Sequence, residues 1–194
     1  AREVGYGLGM FHSLISDLPT EDLADTLENF HVTPAYLNRY DSVSKSCSSL
    51  DDAAQSACAF IEARRQGIDV LEAALQRGEL KQRPIHGDPK INNVMIDDAS
   101  GHAVGLIDLD TVKPGLVHYD IGDCLRSCCN KAGEETDDLN TVVFDLELCE
   151  AILDGYLSVA HQFLSDWDLH YLPDCIRLIP LELGLRFLTD HLEG

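Results

Sequence analysis

Apolar residues recur along most of this chain at three- and four-residue steps, a spacing that predicts helices on either side of one short central region of strands. Val4, Leu8, Phe11, Ile15 and Leu18 mark a first amphipathic helix, which Pro19 ends because proline lacks the N–H that a further turn needs. Thr20 and Thr33-Pro34 read as the capped starts of the next two helices, with the proline at the first helical position, where its missing N–H costs least. Ser49 is placed to cap a helix over 50–66 that stops at Gly67, and a shorter helix over 69–77 stops at Gly78. Arg83-Pro84-Ile85 follows as a brief strand. Beyond the centre, Lys113-Pro114-Gly115 marks a turn and a helix runs from Asp120 to about Asn130. The polar stretch from Lys131 to Asn140 reads as an exposed, mobile loop. Helices over 146–164 and 170–190 complete the pattern, with Pro180 expected to kink or divide the last.

The centre has a different period. Val94-Met95-Ile96 and Ala103-Val104-Gly105-Leu106-Ile107 are apolar runs on either side of Asp97-Asp98-Ala99-Ser100-Gly101-His102, which is rich in turn formers, so the segment predicts a β-hairpin. With the turn centred between Ser100 and Gly101, Val94 faces Ile107 and Asn93 faces Asp108, roughly 5 Å apart between Cα atoms. The expected fold class is mainly α with a small central β-hairpin (α+β), in a single domain over 1–194.

Immediately before the hairpin stands His86-Gly87-Asp88-Pro89-Lys90-Ile91-Asn92-Asn93, and immediately after it Ile107-Asp108-Leu109-Asp110. A carboxylate at Asp88 can take the proton of an attacking hydroxyl. The amide oxygen of Asn93 and the carboxylate of Asp108 are hard oxygen donors of the kind Mg²⁺ prefers. The two loops together read as a phosphoryl-transfer site.

Bulk properties narrow the reading further. The 194 residues are 45% hydrophobic, enough for a real core. With 34 acidic against 14 basic side chains the formal net charge is −20, which argues against unassisted binding to nucleic acid or to an anionic membrane. No apolar stretch follows Ala1-Arg2-Glu3 and no run approaches the length of a membrane span, so a cytoplasmic location is expected. The seven cysteines are scattered and odd in number, which is no disulfide framework. Cys124, Cys128 and Cys129 read as buried free thiols on one helix rather than as a metal site.

His-x-Asp-x-Lys-x-x-Asn followed by an Asp after a hairpin resembles the catalytic and metal-binding loops of the protein-kinase-like superfamily. The form His86-Gly87-Asp88 with Ile107-Asp108-Leu109-Asp110 looks like the aminoglycoside phosphotransferase and choline kinase branch. The run from His86 to Arg126 is most similar to bacterial N-acetylhexosamine 1-kinases. The resemblance implies Asp88 as catalytic base, Asn93 and Asp108 as Mg²⁺ ligands, and Lys90 as a group approaching the γ-phosphate of ATP. It also implies that His86 supports the loop by hydrogen bonding and that Asp120 braces it, with Asp110 a neighbouring carboxylate. Asp108-Leu109-Asp110 departs from the Asp-Phe-Gly of protein kinases, so no activation-loop switch is implied.

The resemblance further implies an N-terminal lobe, mostly β-sheet, with a loop covering the nucleotide and a lysine for its phosphates. Upstream of His86 there are only helical patterns; Gly5-Tyr6-Gly7-Leu8-Gly9 follows no strand and reads as a small-residue helix contact. The chain is therefore expected to be the C-terminal, catalytic-loop lobe of a kinase, inactive alone, with the missing lobe of the same protein as its partner. The expected reaction is ATP-dependent phosphorylation of a small-molecule hydroxyl, by resemblance the anomeric hydroxyl of an N-acetylhexosamine. The alternatives are an aminoglycoside or choline-type kinase and, in another class, a non-catalytic module that holds sugar or metal.

Overall fold

The computed structural model describes residues 1–47, 50–133 and 136–194. The architecture is mainly helical with two small antiparallel sheets. Its helices are α1 (Arg2–Leu14), α2 (Thr33–Ser44), α3 (Asp52–Glu62), α4 (Val70–Gln76), α5 (Val117–Cys128), α6 (Leu146–Ala160), α7 (Asp166–His170) and α8 (Leu172–Glu193). Four three- to four-residue strands, β1 (Arg83–Ile85), β2 (Val94–Ile96), β3 (Ala103–Leu106) and β4 (Lys113–Gly115), pair as β1 with β4 and β2 with β3. Among the described residues no helix is long and apolar enough to cross a membrane.

α5 is the axis of the molecule. Every one of its residues except Arg126 is buried, including His118, Tyr119, Asp120, Asp123 and Ser127, so its polar groups need partners from other elements. Tyr119 donates to Glu72 Oε1 (2.8 Å), the Nε2 of His118 meets the carbonyl of Asp168 (2.8 Å), and the hydroxyl of Ser127 accepts from the N–H of Ile91 (3.3 Å). Gly122 lets α8 come close, since a Cβ there would lie 2.8 Å from the carbonyl oxygen of Cys175 and overlap the side chain of Ile179.

A second close seam joins α1 to α6. A Cβ on Gly5 would overlap the carbonyl of Ile152, one on Gly155 would overlap the carbonyl of Arg2, and Gly9 faces the carbonyl of Tyr156. The glycine run near the start of the chain is thus a small-residue helix contact. Gly7, on the other side of α1, lets the helix lie on the hairpin: a Cβ there would be 3.1 Å from the Cβ of Ala103.

Several boundaries differ from the pattern-based expectation. α1 ends at Leu14, ahead of Pro19, and only a 3₁₀ turn at Thr20–Asp22 stands where a second helix is expected. The left-handed backbone of Asn29 (φ 60°) and His31 (φ 65°) is incompatible with a helix there, and Lys113 ties the segment down by donating to the carbonyl of Leu27 (2.7 Å) and pairing with Asp25 (2.7 Å). Thr33 does open α2, but its hydroxyl donates to Glu182 Oε2 (3.3 Å) instead of capping. Ser49 lies outside the described residues; Asp51 caps α3 by accepting from the N–H of Ala54 (2.7 Å).

Lys113-Pro114-Gly115 is a strand rather than a turn. Pro84 and Pro114 face each other in the β1–β4 ladder, which works because the middle pair is one where no N–H is required. α5 begins at Val117, so Asp120 lies inside its first turn. The stretch expected as a mobile loop, 131–140, includes Glu134 and Glu135 outside the described residues and a 3₁₀ turn at Leu139–Thr141. α8 continues through Pro180 undivided: the one hydrogen bond a proline removes is outweighed by packing against α2 and α5.

The hairpin register is also shifted by one. Val94 pairs with Leu106 and Met95 with Gly105, whereas Ile96 pairs with Ala103, which leaves Val104 as the extra residue of a bulge. Asn93 accordingly faces Ile107, whose N–H it accepts at 2.9 Å, and not Asp108. The cysteines Cys124, Cys128, Cys129, Cys149 and Cys175 are buried and free, and no group of three or more His, Cys, Asp or Glu able to hold a metal occurs among the described residues.

Candidate active site

Between β1 and β2 the chain has no regular structure until the 3₁₀ turn at Ile91–Asn93, so its backbone polar groups need side chains as partners. Asp120, from α5, accepts the N–H of His86 on Oδ2 (2.7 Å) and that of Gly87 on Oδ1 (2.8 Å). The carbonyl of His86 accepts from the hydroxyl of Thr111 (2.8 Å), and the carbonyl of Gly87 accepts from Nε2 of His31 (2.8 Å). The N–H of Asp88 donates to Nδ1 of His86 (3.2 Å), and its carbonyl accepts from Nδ2 of Asn93 (2.8 Å). Six consecutive backbone groups are held by five side chains, three of them distant in sequence. Glycine is required at 87, where φ is +89° and a Cβ would sit 2.5 Å from the carbonyl oxygen of Thr111.

The support continues one layer deeper. His12 of α1 joins its Nε2 to Oδ2 of Asp120 (2.8 Å) and its Nδ1 to the hydroxyl of Tyr156 on α6 (2.9 Å), all inside the protein. Burial pushes the Asp120 carboxyl up, but the hydrogen bond and charge of His12, with the N–H groups of Gly87 and His86, outweigh it and hold the group below its ordinary value. His86 is itself fully buried. Because its Nδ1 accepts, Nε2 carries the proton and donates to the carbonyl of Ile107 (2.9 Å), the residue before Asp108. One imidazole therefore links the backbone of Asp88 to the approach to Asp108.

The side chain of Asp88 is partly exposed. Its described hydrogen bonds fall on Oδ2, from Lys90 Nζ (2.6 Å) and more weakly from Asn93 Nδ2 (3.4 Å), which leaves Oδ1 for another donor. Lys90 is raised from its ordinary value, chiefly by this hydrogen bond to Asp88. Asn93 is buried and commits its amide nitrogen to Asp88, so its Oδ1 remains as an oxygen donor. Asp108 is exposed, adopts a left-handed backbone (φ 65°, ψ 59°) and makes no capping hydrogen bond to the 3₁₀ turn Leu109–Thr111 that follows. An amide oxygen and a carboxylate are a fitting protein share for Mg²⁺, which usually takes one or two such ligands beside phosphate and water.

The structure thus brings His86, Asp88, Lys90, Asn93 and Asp120 into one hydrogen-bonded group, with Asp108 tethered through Ile107. Asp110 stands apart and exposed; the hydroxyl of Thr26 donates to its carbonyl (3.5 Å), and among the described residues its carboxylate makes no hydrogen bond. His12, His31, Thr111, Tyr156 and Glu182 are residues that sequence reasoning misses. Thr111 alone left a local signal, one residue past Ile107-Asp108-Leu109-Asp110. One turn along α5 from Asp120, Asp123 pairs with Arg126 (2.8 Å); burial raises its carboxyl, and among the described residues its Oδ2 has no hydrogen-bond partner.

Among solved structures, the chain is similar to an aminoglycoside-3'-phosphotransferase of type VIII, with 21% identity and a TM-score of 0.48 over 93% of this chain. It spans 60% of the length of that enzyme. A model of the phosphotransferase enzyme family, APH, matches residues 1–157, from α1 into α6 and across both loops of the site. The chain belongs to that phosphotransferase family.

Proposed function

We propose that the protein to which this chain belongs transfers the γ-phosphoryl group of ATP to a hydroxyl of a small molecule, with the anomeric hydroxyl of an N-acetylhexosamine as acceptor. The observation that carries the reading is Asp88: its backbone is held at both its N–H and its carbonyl while one carboxylate oxygen stays open beside a lysine and an amide group, with Asp108 within electrostatic reach of that lysine. Oδ1 of Asp88 orients the acceptor hydroxyl and takes its proton as the oxygen bonds to phosphorus and the bond from phosphorus to the ADP oxygen breaks. Asn93 and Asp108 would hold Mg²⁺, which would neutralise charge developing on the phosphates. Lys90, already at the carboxylate, offers a positive charge to the same phosphoryl group. Most of the rate enhancement is positioning and electrostatics.

A nucleotide-holding lobe is the proposed partner. α1 covers one face of the hairpin through Val94, Ala103 and Leu106, and the other face leaves Met95, Val104 and Ile107 about half exposed or more, with open space around Gly105. Ile91 and Leu109 extend this apolar surface beside the site. On this reading, that lobe packs against this surface.

Product analysis decides the acceptor. The complete protein, given ATP and Mg²⁺, is expected to form a sugar 1-phosphate from N-acetylhexosamines and to leave kanamycin and choline unmodified. An Asp88→Asn variant should fold normally and lose about 10²–10⁴-fold in turnover. Near-normal turnover in that variant rules out Asp88 as the base, and phosphorylation of kanamycin or choline alone moves the acceptor to the other branch.

A further inference from the structure

The pair formed by His31 and Glu182 serves no role in the chemistry above, yet it is buried against the loop that carries Asp88. His31 and Glu182 are 4% and 1% exposed. Nε2 of His31 lies 2.8 Å from the carbonyl oxygen of Gly87, and Nδ1 lies 3.1 Å from Oε1 of Glu182. A carbonyl oxygen only accepts, so Nε2 of His31 carries a proton; burial lowers the ring, but Glu182, Asp123 and the Gly87 carbonyl together raise it above its ordinary value, which favours a second proton on Nδ1 facing Glu182. The ring is confined by Phe30 (4.1 Å between centroids) and by Tyr119 of α5, stacked at 5.8 Å.

Two features argue that this arrangement does more than fill space. Removing two charges from water is expensive, and apolar residues of similar volume would pack the same gap at lower cost. His31 also keeps a left-handed backbone (φ 65°), a conformation uncommon for a side-chain-bearing residue. Both costs converge on one atom, the carbonyl oxygen of Gly87, next to the peptide bond that leads into Asp88. Asp120 fixes the N–H side of that residue; on its carbonyl side, without His31, only the longer bond from the N–H of Asp88 to Nδ1 of His86 (3.2 Å) would hold the peptide plane.

On the reading proposed above, we infer that His31, charged and oriented by Glu182, is a positioning residue that sets the direction of the Asp88 carboxylate through the Gly87 carbonyl. Glu182 faces the imidazolium from α8 and Asp123 from α5, while Tyr119 and Phe30 present only rings. Both side chains are buried, so they act on the site through the loop and not by direct contact with a ligand.

The test is steady-state kinetics on the complete enzyme with the acceptor it phosphorylates. A misplacement on the order of 1 Å costs about 100-fold in rate, so His31→Ala is expected to lose about 10- to 100-fold in kcat. Both KM values should stay within about threefold, since no binding contact is removed. His31→Gln, whose amide can donate to the Gly87 carbonyl, should recover most of the lost kcat. A folded His31→Ala enzyme with kcat unchanged, or one in which KM alone rises, overturns the inference. So does failure of both variants to fold, which would make the pair a folding element. If the wild-type protein phosphorylates no hydroxyl acceptor, the functional reading falls and this inference with it; an active wild type with indifferent variants overturns the inference alone.

Discussion

A carboxylate that accepts three hydrogen bonds in a fully buried position, as Asp120 does, favours folding only while it stays ionised. Its lowered value in the folded protein means that its contribution is present above the unfolded carboxylate value of about 3.9 and is lost as pH falls through the folded value. His31 has the opposite sign. Burial lowers it, but Glu182, Asp123 and the Gly87 carbonyl together outweigh burial and the net shift is upward, so its contribution is full below about 6.5 and disappears as pH rises through the raised folded value. Urea midpoints measured across pH should therefore fall on the alkaline side, and that fall should flatten in Glu182→Gln. Parallel alkaline limbs in the two proteins would mean that His31 carries no charge in the folded state. The residues of this network also mark where sequence reading stops. Asp88, Asn93 and Asp108 are legible because their spacing is local, whereas His12 meets Asp120 across 108 positions and His31 meets Glu182 across 151, with no pattern to announce either pair.

Among the elements, the seam between α1 and α6 is the least tolerant of change. At Gly155 an added methyl meets the backbone carbonyl of Arg2 and not the end of a flexible side chain, so the helices must separate to admit it. Gly155→Ala should cost about 1–3 kcal/mol, visible as a lower melting temperature, even though alanine is the better helix former. An unchanged or raised melting temperature would show that the helices can part freely. The glycines of α1 were readable as a contact surface, but Gly155, alone in an apolar helix, gave no sign of being the partner. The hairpin teaches a similar lesson. Its existence follows from two apolar runs and a turn, while its register depends on how the 97–102 turn closes: Ile96 pairs with Ala103, two residues short of the expected Gly105, and the bulge at Val104 restores one, leaving Asn93 opposite Ile107 and not Asp108.

For the molecule as a whole, the mainly helical class was legible because periodicity is summed over many residues, and the segment between α1 and α2 was not, because its path depends on Lys113 and on two left-handed residues. The net charge of −20 is spread over a surface that also presents the open apolar face of the hairpin. If that face belongs under a nucleotide-holding lobe, chain 1–194 by itself should hydrolyse or transfer no ATP above background while the complete protein turns over; robust turnover by the isolated chain would remove the need for a second lobe. α1 gains a mechanical meaning from this. The glycine seam locks it to α6, Gly7 seats it on the hairpin, and His12 at its far end grips the carboxylate under the loop. A helix anchored at three points ties them together, so any change that displaces its first turn must strain the base-bearing loop and the hairpin at once.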